Sequence, residues 1–188
     1  MIEDLFLESK IRRIINKPEE ILRDLEIKKG DKVLDIGCGS GFLTIPLAFK
    51  VSFRGCVYGI DINDKRIEKL KEKIKSSNLK NIITLKADAS NLKNIPDAFF
   101  DLALFFLSLH HIKEPFKALE EAYRKIKLGG KIFIYEPRRS RFFGHGTEVV
   151  EILNLLKNLK LKIKYIKVGK FTWKVLLEKY PPNPKDTS

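Results

Sequence analysis

One stretch constrains the fold more than any other. Val33-Leu34-Asp35-Ile36-Gly37-Cys38-Gly39-Ser40-Gly41 runs from an apolar segment through an acid into a G-x-G-x-G turn, and a helix-like segment comes next. That is a strand feeding a glycine-rich loop. Glycine reaches positive φ and lets the backbone approach a ligand that a Cβ would exclude. Amides at the start of the next helix then face that ligand. In the pattern G-x-G-x-x-G the third glycine packs helix on strand. Here Phe42 stands at that position, and the third glycine arrives one residue early, at Gly41.

The stretch Gly55-Cys56-Val57-Tyr58-Gly59-Ile60-Asp61-Ile62 reads as a second buried strand that ends in a carboxylate. An acid at the tip of the second strand suits both hydroxyls of a ribose. Ile82-Ile83-Thr84-Leu85-Lys86-Ala87-Asp88-Ala89 reads as a third strand, again ending in aspartate. Ligands of open α/β sheets gather at the carboxyl ends of strands, so three acidic strand ends in succession suit a nucleoside. Phe100 to Phe106 is a fourth apolar run, with His110-His111 close behind it. Leu128-Gly129-Gly130 turns into a fifth, Lys131 to Pro137.

Helical patterns separate these runs. Ile2, Leu5, Phe6, Ile11, Ile14 and Ile15 fall at helical spacing. Asn16-Lys17-Pro18 breaks that helix, and Pro18-Glu19-Glu20 starts another. Gly41–Lys50, Asp64–Ser76 and roughly Thr147–Asn158 are expected helices. Pro115 opens a further helix to Lys127, which Gly129 ends. Leu161–Val168 and Phe171–Tyr180 alternate around Gly169-Lys170, the pattern of a β-hairpin. The alternation predicts an α/β fold, a mostly parallel sheet with helices on both faces and an antiparallel C-terminal hairpin. Residues 1–27 read as a helical cap, 31–180 as the core of a single domain and 181–188 as a frayed tail.

Composition narrows the classes. The chain's 188 residues suffice for one full core. No apolar run reaches the ~20 residues of a membrane span, and Met1-Ile2-Glu3-Asp4-Leu5 has acids where a signal peptide has bases. Two cysteines are too few for a disulfide framework, so a reducing cytoplasm is expected. Lys and Arg number 37 against 24 acids, a formal +13. That excess suits an anionic partner: nucleic acid, a phosphorylated metabolite or an acidic membrane. A second account is thermal adaptation, since glutamine is absent and charged networks replace thermolabile amides in heat-loving organisms.

Taken in order, these segments resemble the motifs of class I S-adenosylmethionine-dependent methyltransferases, from about Asp31 to Pro137 and on to Tyr180. The nearest branch is the small-molecule group that includes the ubiquinone/menaquinone C-methyltransferases. The resemblance implies a Rossmann-like, doubly wound seven-stranded sheet in the order 3-2-1-4-5-7-6. It also implies S-adenosyl-L-methionine as cofactor and S-adenosyl-L-homocysteine as product. On it, Asp35, Gly37, Cys38, Gly39, Gly41, Asp61, Ile62, Asp88, Ala89 and Phe106 become cofactor-binding candidates. Asp61 is then the ribose acid and Asp88-Ala89 the adenine pair. Asp35 organises the loop by accepting backbone amides. Plainer roles stand beside these. The glycines and Cys38 would build a tight turn, and Phe106 would pack in the core. Asp61 would cap the helix that starts near Asp64, and Asp88 a turn toward Asn91.

Methyl transfer from a sulfonium needs its atoms in line, and orientation alone is worth ~7–11 kcal/mol. A base is required only if the acceptor carries a proton. His110 and His111 after the fourth strand and Glu136 at the end of the fifth are the candidates. Their plainer roles are backbone pairing for a histidine and an arginine ion pair for Glu136. The loop Arg138 to Gly146 should hang over the pocket. Its Arg138, Arg139, Arg141 and Phe142 suit an anionic, aromatic acceptor, and its glycines suit a lid. Arg12 and Arg13 are second candidates. The lysines of 157–174 read as a solvated face away from the pocket mouth. No metal site is expected. No Asn-Pro-Pro-Tyr type motif stands after the fourth strand, which argues against methylation of exocyclic base amines.

The leading expectation is a methyltransferase for a small or medium-sized acceptor, aromatic or anionic. The alternatives are an rRNA or tRNA methyltransferase, a nicotinamide-dependent oxidoreductase (disfavoured by the glycine spacing) and a non-catalytic cofactor-binding subunit. Oligomeric state is left open.

Overall fold

A computed structural model describes residues 17–139 and 146–181. The expected helix over 2–15 with Arg12 and Arg13, loop residues 140–145 with Arg141 and Phe142, and residues 182–188 of the tail lie outside the described residues. The elements are α1 (Pro18–Arg23), β1 (Lys32–Ile36), α2 (Thr44–Val51), β2 (Cys56–Asp61), α3 (Asp64–Ser76), β3 (Ile82–Lys86), β4 (Phe100–Phe106), a 3-10 turn (Leu109–His111), α4 (Pro115–Lys125), β5 (Ile126–Pro137), α5 (Val149–Leu156), β6 (Leu161–Val168) and β7 (Thr172–Lys179).

The strands form one sheet in the order β3-β2-β1-β4-β5-β7-β6. The first five are parallel, and β7 runs antiparallel to both β5 and β6. Strands covered on both faces read as near-continuous apolar runs, and from Leu102 on, past a bulge after Phe100, β4 divides its side chains by the pleat. Leu102, Leu104 and Phe106 join Leu22, Leu47 and Phe133 beneath α1 and α2. Phe100, Ala103 and Phe105 join Leu119, Ile152 and Trp173 on the face of α4 and α5. Ile67 and Leu70 seat α3 against Cys38, and the Asn63 side chain caps that helix by accepting from Arg66 N at 3.2 Å.

Several boundaries differ from the sequence reading, each for a local reason. Helix α2 starts at Thr44 rather than Gly41, because the loop first closes a turn from Gly41 N to Cys38 O at 3.0 Å. Strand β3 stops at Lys86, so Asp88 lies two residues past it. Helix α4 ends at Lys125 rather than Lys127, because Ile126 is fully buried and pairs with Phe100. The register then jumps to Leu102 opposite Lys131, with Lys127 to Gly130 bulging between. The closing hairpin differs in its placement. Because β7 is antiparallel to β5, Thr172 pairs with Pro137 and Val168 with Trp173. The turn at Gly169 to Phe171 therefore lies at the carboxyl edge of the parallel strands, and Arg138 N donates to Phe171 O at 2.8 Å. Its lysines are not all remote from that edge, as the sequence reading had them.

Candidate active site

The glycine loop is tied to the end of the second strand. Gly37 N and Cys38 N both donate to Ile60 O, at 2.8 and 2.9 Å. Gly37, Gly39 and Gly41 all have positive φ. A Cβ at Gly37 would stand 2.5 Å from the Ser108 Cβ, so the loop packs directly on the segment after β4. A Cβ at Gly39 would meet nothing within 4 Å. The backbone there borders open space, a cradle that a side chain would fill.

Asp61 closes the cradle. Its Oδ2 accepts from Gly39 N and its Oδ1 from Asn63 N, both at 2.9 Å. Ionised carboxylates offer about two lone-pair sites per oxygen, so each oxygen keeps one for a further donor. The Arg66 guanidinium stands 4.0 Å from Oδ2. Ile62 is the next residue and is 66% exposed, unusual for an isoleucine and suited to covering a flat ring. Asp61 O also accepts from Ala87 N at 3.2 Å, which joins the ends of β2 and β3. Asp88 is exposed, and its Oδ1 accepts from Ser90 N and Ser90 Oγ at 2.9 and 2.7 Å. Those bonds lower its pKa. Its carboxylate thus organises the turn that carries Ala89.

Asp35 lies beneath the loop on the α2 face and is buried. It accepts from the Thr44 hydroxyl at 2.6 Å, not from the backbone amides expected of it. The late start of α2 brings that hydroxyl over the carboxylate. Burial, with help from nearby Asp61 and against the Thr44 bond, pushes its pKa up to about 7. Cys38 is buried as well, its thiol pKa raised by desolvation. Its Sγ would sit 3.3 Å from a Cβ on Gly59, so it fills space between loop and sheet. On the far side, Lys73 Nζ donates to Ser40 O at 2.5 Å and fastens the loop to α3.

The ends of β4 and β5 meet in a second network. Leu107 has φ +50°, a conformation that strains a branched side chain. It is stabilised by Leu107 N donating to Tyr135 O at 2.8 Å. The chain then turns back over Glu136, which is fully buried. Glu136 Oε1 accepts from Ser108 N and Leu109 N, at 2.9 and 2.8 Å. Oε2 accepts from His110 N at 3.3 Å and meets His110 Nδ1 at 2.5 Å. All four lone-pair positions are engaged, which leaves none for a substrate proton. Glu136 is paired with histidine and backbone rather than with arginine. A carboxylate can only accept, so the bond places a proton on His110 Nδ1 and leaves the lone pair on Nε2. The His111 ring lies 3.9 Å from that of His110 and is exposed.

The remaining candidates separate from this cluster. Phe106 is buried and stacked on Phe42 at 5.4 Å, in the core beneath α2. Arg139 pairs with both oxygens of Glu151, at 2.9 and 3.0 Å, and Arg138 Nε stands 3.8 Å from Glu148. Both arginines thus brace the loop against the start of α5. Sequence reasoning passed over Thr44, Ser108 and Lys73. Ser108 donates from Oγ to Ile36 O at 2.8 Å and so joins β4 to β1 across the sheet. Its one available signal was a small polar residue where the apolar run of β4 stops.

The unused lone pairs of Asp61 and the open backbone at Gly39 have the chemistry to accept the hydroxyls of a sugar, and comparison with known proteins defines the class. Residues 27–179 match the methyltransferase domain family. The chain belongs to that family, as a Rossmann-like, S-adenosylmethionine-dependent methyltransferase. Among its relatives is a demethylmenaquinone methyltransferase of a Geobacillus species, 31% identical over 133 residues, covering 71% of this chain and 56% of the relative. Another, from Lactobacillus johnsonii, is 37% identical over 119 residues, covering 63% and 48%. The chain thus spans about half the length of these curated relatives. A solved S-adenosylmethionine-dependent methyltransferase from Aquifex aeolicus superposes with TM-score 0.77 at 26% identity, over 88% of this chain and 91% of that one.

Proposed function

We propose that this chain methylates an aromatic, quinol-type small molecule, with Asp61 and the Gly37–Gly41 loop holding the methyl donor and His110 receiving the acceptor's proton. The observation that carries the reading is the meeting of two networks at one sheet edge, where Gly37 of the loop packs on Ser108 of the Glu136 network. The relatives named for demethylmenaquinone support the acceptor class.

When bound, S-adenosylmethionine supplies a methyl carbon activated by a sulfonium that leaves as a neutral thioether. The chain's residues supply the rest. Asp61 has one free lone pair on each oxygen for the two ribose hydroxyls, while Gly39 leaves its backbone open to the ligand. Ile62 and the turn held by Asp88 border the adenine side, with Ala89 beside it. A hydroquinone gains a methyl at ring carbon and must shed a proton. His110 Nε2 accepts it, and the buried Glu136 carboxylate stabilises the imidazolium that forms. Glu136 is on this reading a positioning residue, and His111 is not required. Arg138 and Arg139, at the end of β5, are on this reading the acceptor's cationic contacts, and Arg141 and Phe142, outside the described residues, are proposed to join them. Residues 31–180 act as one catalytic core, in a cytoplasm where Cys38 and Cys56 stay free. Among the described residues no helix is long and apolar enough to cross a membrane.

The test is incubation with S-adenosylmethionine and reduced 1,4-naphthoquinones, with products identified by mass spectrometry. Methylated naphthoquinol and stoichiometric S-adenosylhomocysteine support the reading. Tight S-adenosylhomocysteine binding without methylation of any quinol would overturn it, and methylated RNA under the same conditions would replace it with the RNA reading.

A further inference from the structure

Strand β6 is the outermost strand of the sheet. It carries an apolar row where solvent was expected. Ile163, Ile166 and Val168 pair with Leu177, Val175 and Trp173, so they share the face that packs on α5. Yet they remain 47, 39 and 55% exposed, because the cover given by α5 does not reach them. Phe171, in the turn, is 65% exposed. Single exposed apolar residues need no explanation, but a continuous row does.

Cations alternate with that row along the strand, so Lys162 and Lys167 leave the same edge from its other face. Lys162, Lys164, Lys167 and Lys170 alternate along the same strand and turn. Lys164 meets Glu178 at 3.0 Å and Lys167 meets Asp24 at 3.2 Å. Lys170 lies over the Phe171 ring, 5.2 Å from its centre. Lysines on an edge strand oppose its pairing with another strand. Two copies brought together by β6 would set these lysine rows against each other. An anionic surface with an apolar interior accepts both parts, since cations meet its head groups and apolar side chains enter below them.

We infer that the β6–β7 edge, led by Val168 and Phe171 at its turn, docks this protein on an anionic lipid surface. The turn lies at the carboxyl edge, beside Arg138 and the end of β5. Docking there turns the mouth of the site toward the bilayer. That consequence rests on the proposed acceptor class, because a quinol with an apolar tail is delivered from the bilayer rather than from water. RNA would also take the lysines, but it gives no place to an aliphatic row of this kind.

The test is co-sedimentation of the full chain with phosphatidylcholine vesicles, with and without phosphatidylglycerol, in the absence of acceptor and methyl donor. Binding is expected only to the anionic vesicles. It should fall about tenfold or more in Val168→Ser/Phe171→Ser and in Lys162→Glu/Lys170→Glu. Calorimetry with S-adenosylhomocysteine, unchanged in both variants, establishes that they are folded. Equal vesicle binding by the variants, or none by the parent chain, would overturn the inference. So would RNA binding through the same residues without vesicle binding, or a dimer that the apolar variant dissolves. Because no acceptor is present, failure here leaves the quinol reading intact, and methylation of a water-soluble naphthoquinol decides that reading separately.

Discussion

Replacing Glu136 with glutamine removes one charge and changes almost no volume. In the parent chain four donors converge on the carboxylate, two on each oxygen. An amide has one accepting oxygen. With that oxygen toward Ser108 N and Leu109 N, its NH2 faces His110 N–H, and two donors oppose each other. The other orientation sets the NH2 against two backbone donors and is worse. The first arrangement costs one buried unsatisfied donor, about 1–3 kcal/mol, plus the charge assistance of the remaining bonds. We expect a total near 3 kcal/mol, or a Tm lower by roughly 6–12 °C at this chain length. The NH2 also forces His110 Nδ1 to accept, which moves the ring proton to Nε2 and removes the base. With a protonated acceptor, kcat should then fall ~10²–10⁴-fold while S-adenosylhomocysteine still binds. Calorimetry reads the first effect and steady-state kinetics the second. An unchanged Tm would refute the account of the four-donor clamp. A lower Tm with undiminished kcat would refute His110 as the proton acceptor.

The loop and the carboxylate beneath it give two further outcomes. Asp61→Ala should raise the Kd for S-adenosylhomocysteine at least tenfold, since each hydrogen bond to a charged acceptor is worth about 1.5–3 kcal/mol; unchanged affinity in calorimetry would remove Asp61 from the ribose site. Asp35, with its folded pKa raised to about 7, holds its proton where the unfolded chain has lost it. Its contribution is therefore full below about pH 4 and lost as pH rises to about 7, on the order of 4 kcal/mol in all. Asp35→Asn, still able to accept from Thr44, should flatten that decline in urea unfolding measured from pH 4 to 8, and a slope equal to the parent's would show that burial does not govern this carboxylate.

What could be read from the chain was local. The glycine loop, the acid at Asp61 and the span of α3 depend on neighbours within a few positions, where φ preference, capping and helical period act directly. Strand order came from resemblance, because no local rule sets it. The Glu136 network was illegible for a different reason. It joins positions 108–110 to 136, and it depends on Leu107 taking a conformation that leucine disfavours. Nothing in composition signals that choice; it arises only from the bond of Leu107 N to Tyr135 across two strands. The end of α4 was misread because Gly129 is a good local stop signal, whereas burial of Ile126 against β4 is a tertiary term that acts first.

Parallel strands explain why the separate pieces form one site. Each of β1, β2, β4 and β5 delivers its last residues to the same edge, so Gly37, Asp61, Ser108 and Glu136 meet although they span about 100 positions of chain. Within that edge the three carboxylates are all buried, and their tasks divide by what each one meets. Asp61 keeps free lone pairs and an exposed isoleucine beside it, so it is equipped to bind. Asp35 and Glu136 are buried and committed to protein donors, so they are equipped to hold geometry. Three carboxylates of similar appearance in sequence thus do different work, and the separating variable is the partner that the fold gives each one: a hydroxyl for Asp35, loop amides for Asp61 and a four-donor clamp for Glu136. Reversing strand direction at β7 adds a hairpin turn to the same edge, and with it the apolar and cationic surface beside the site mouth.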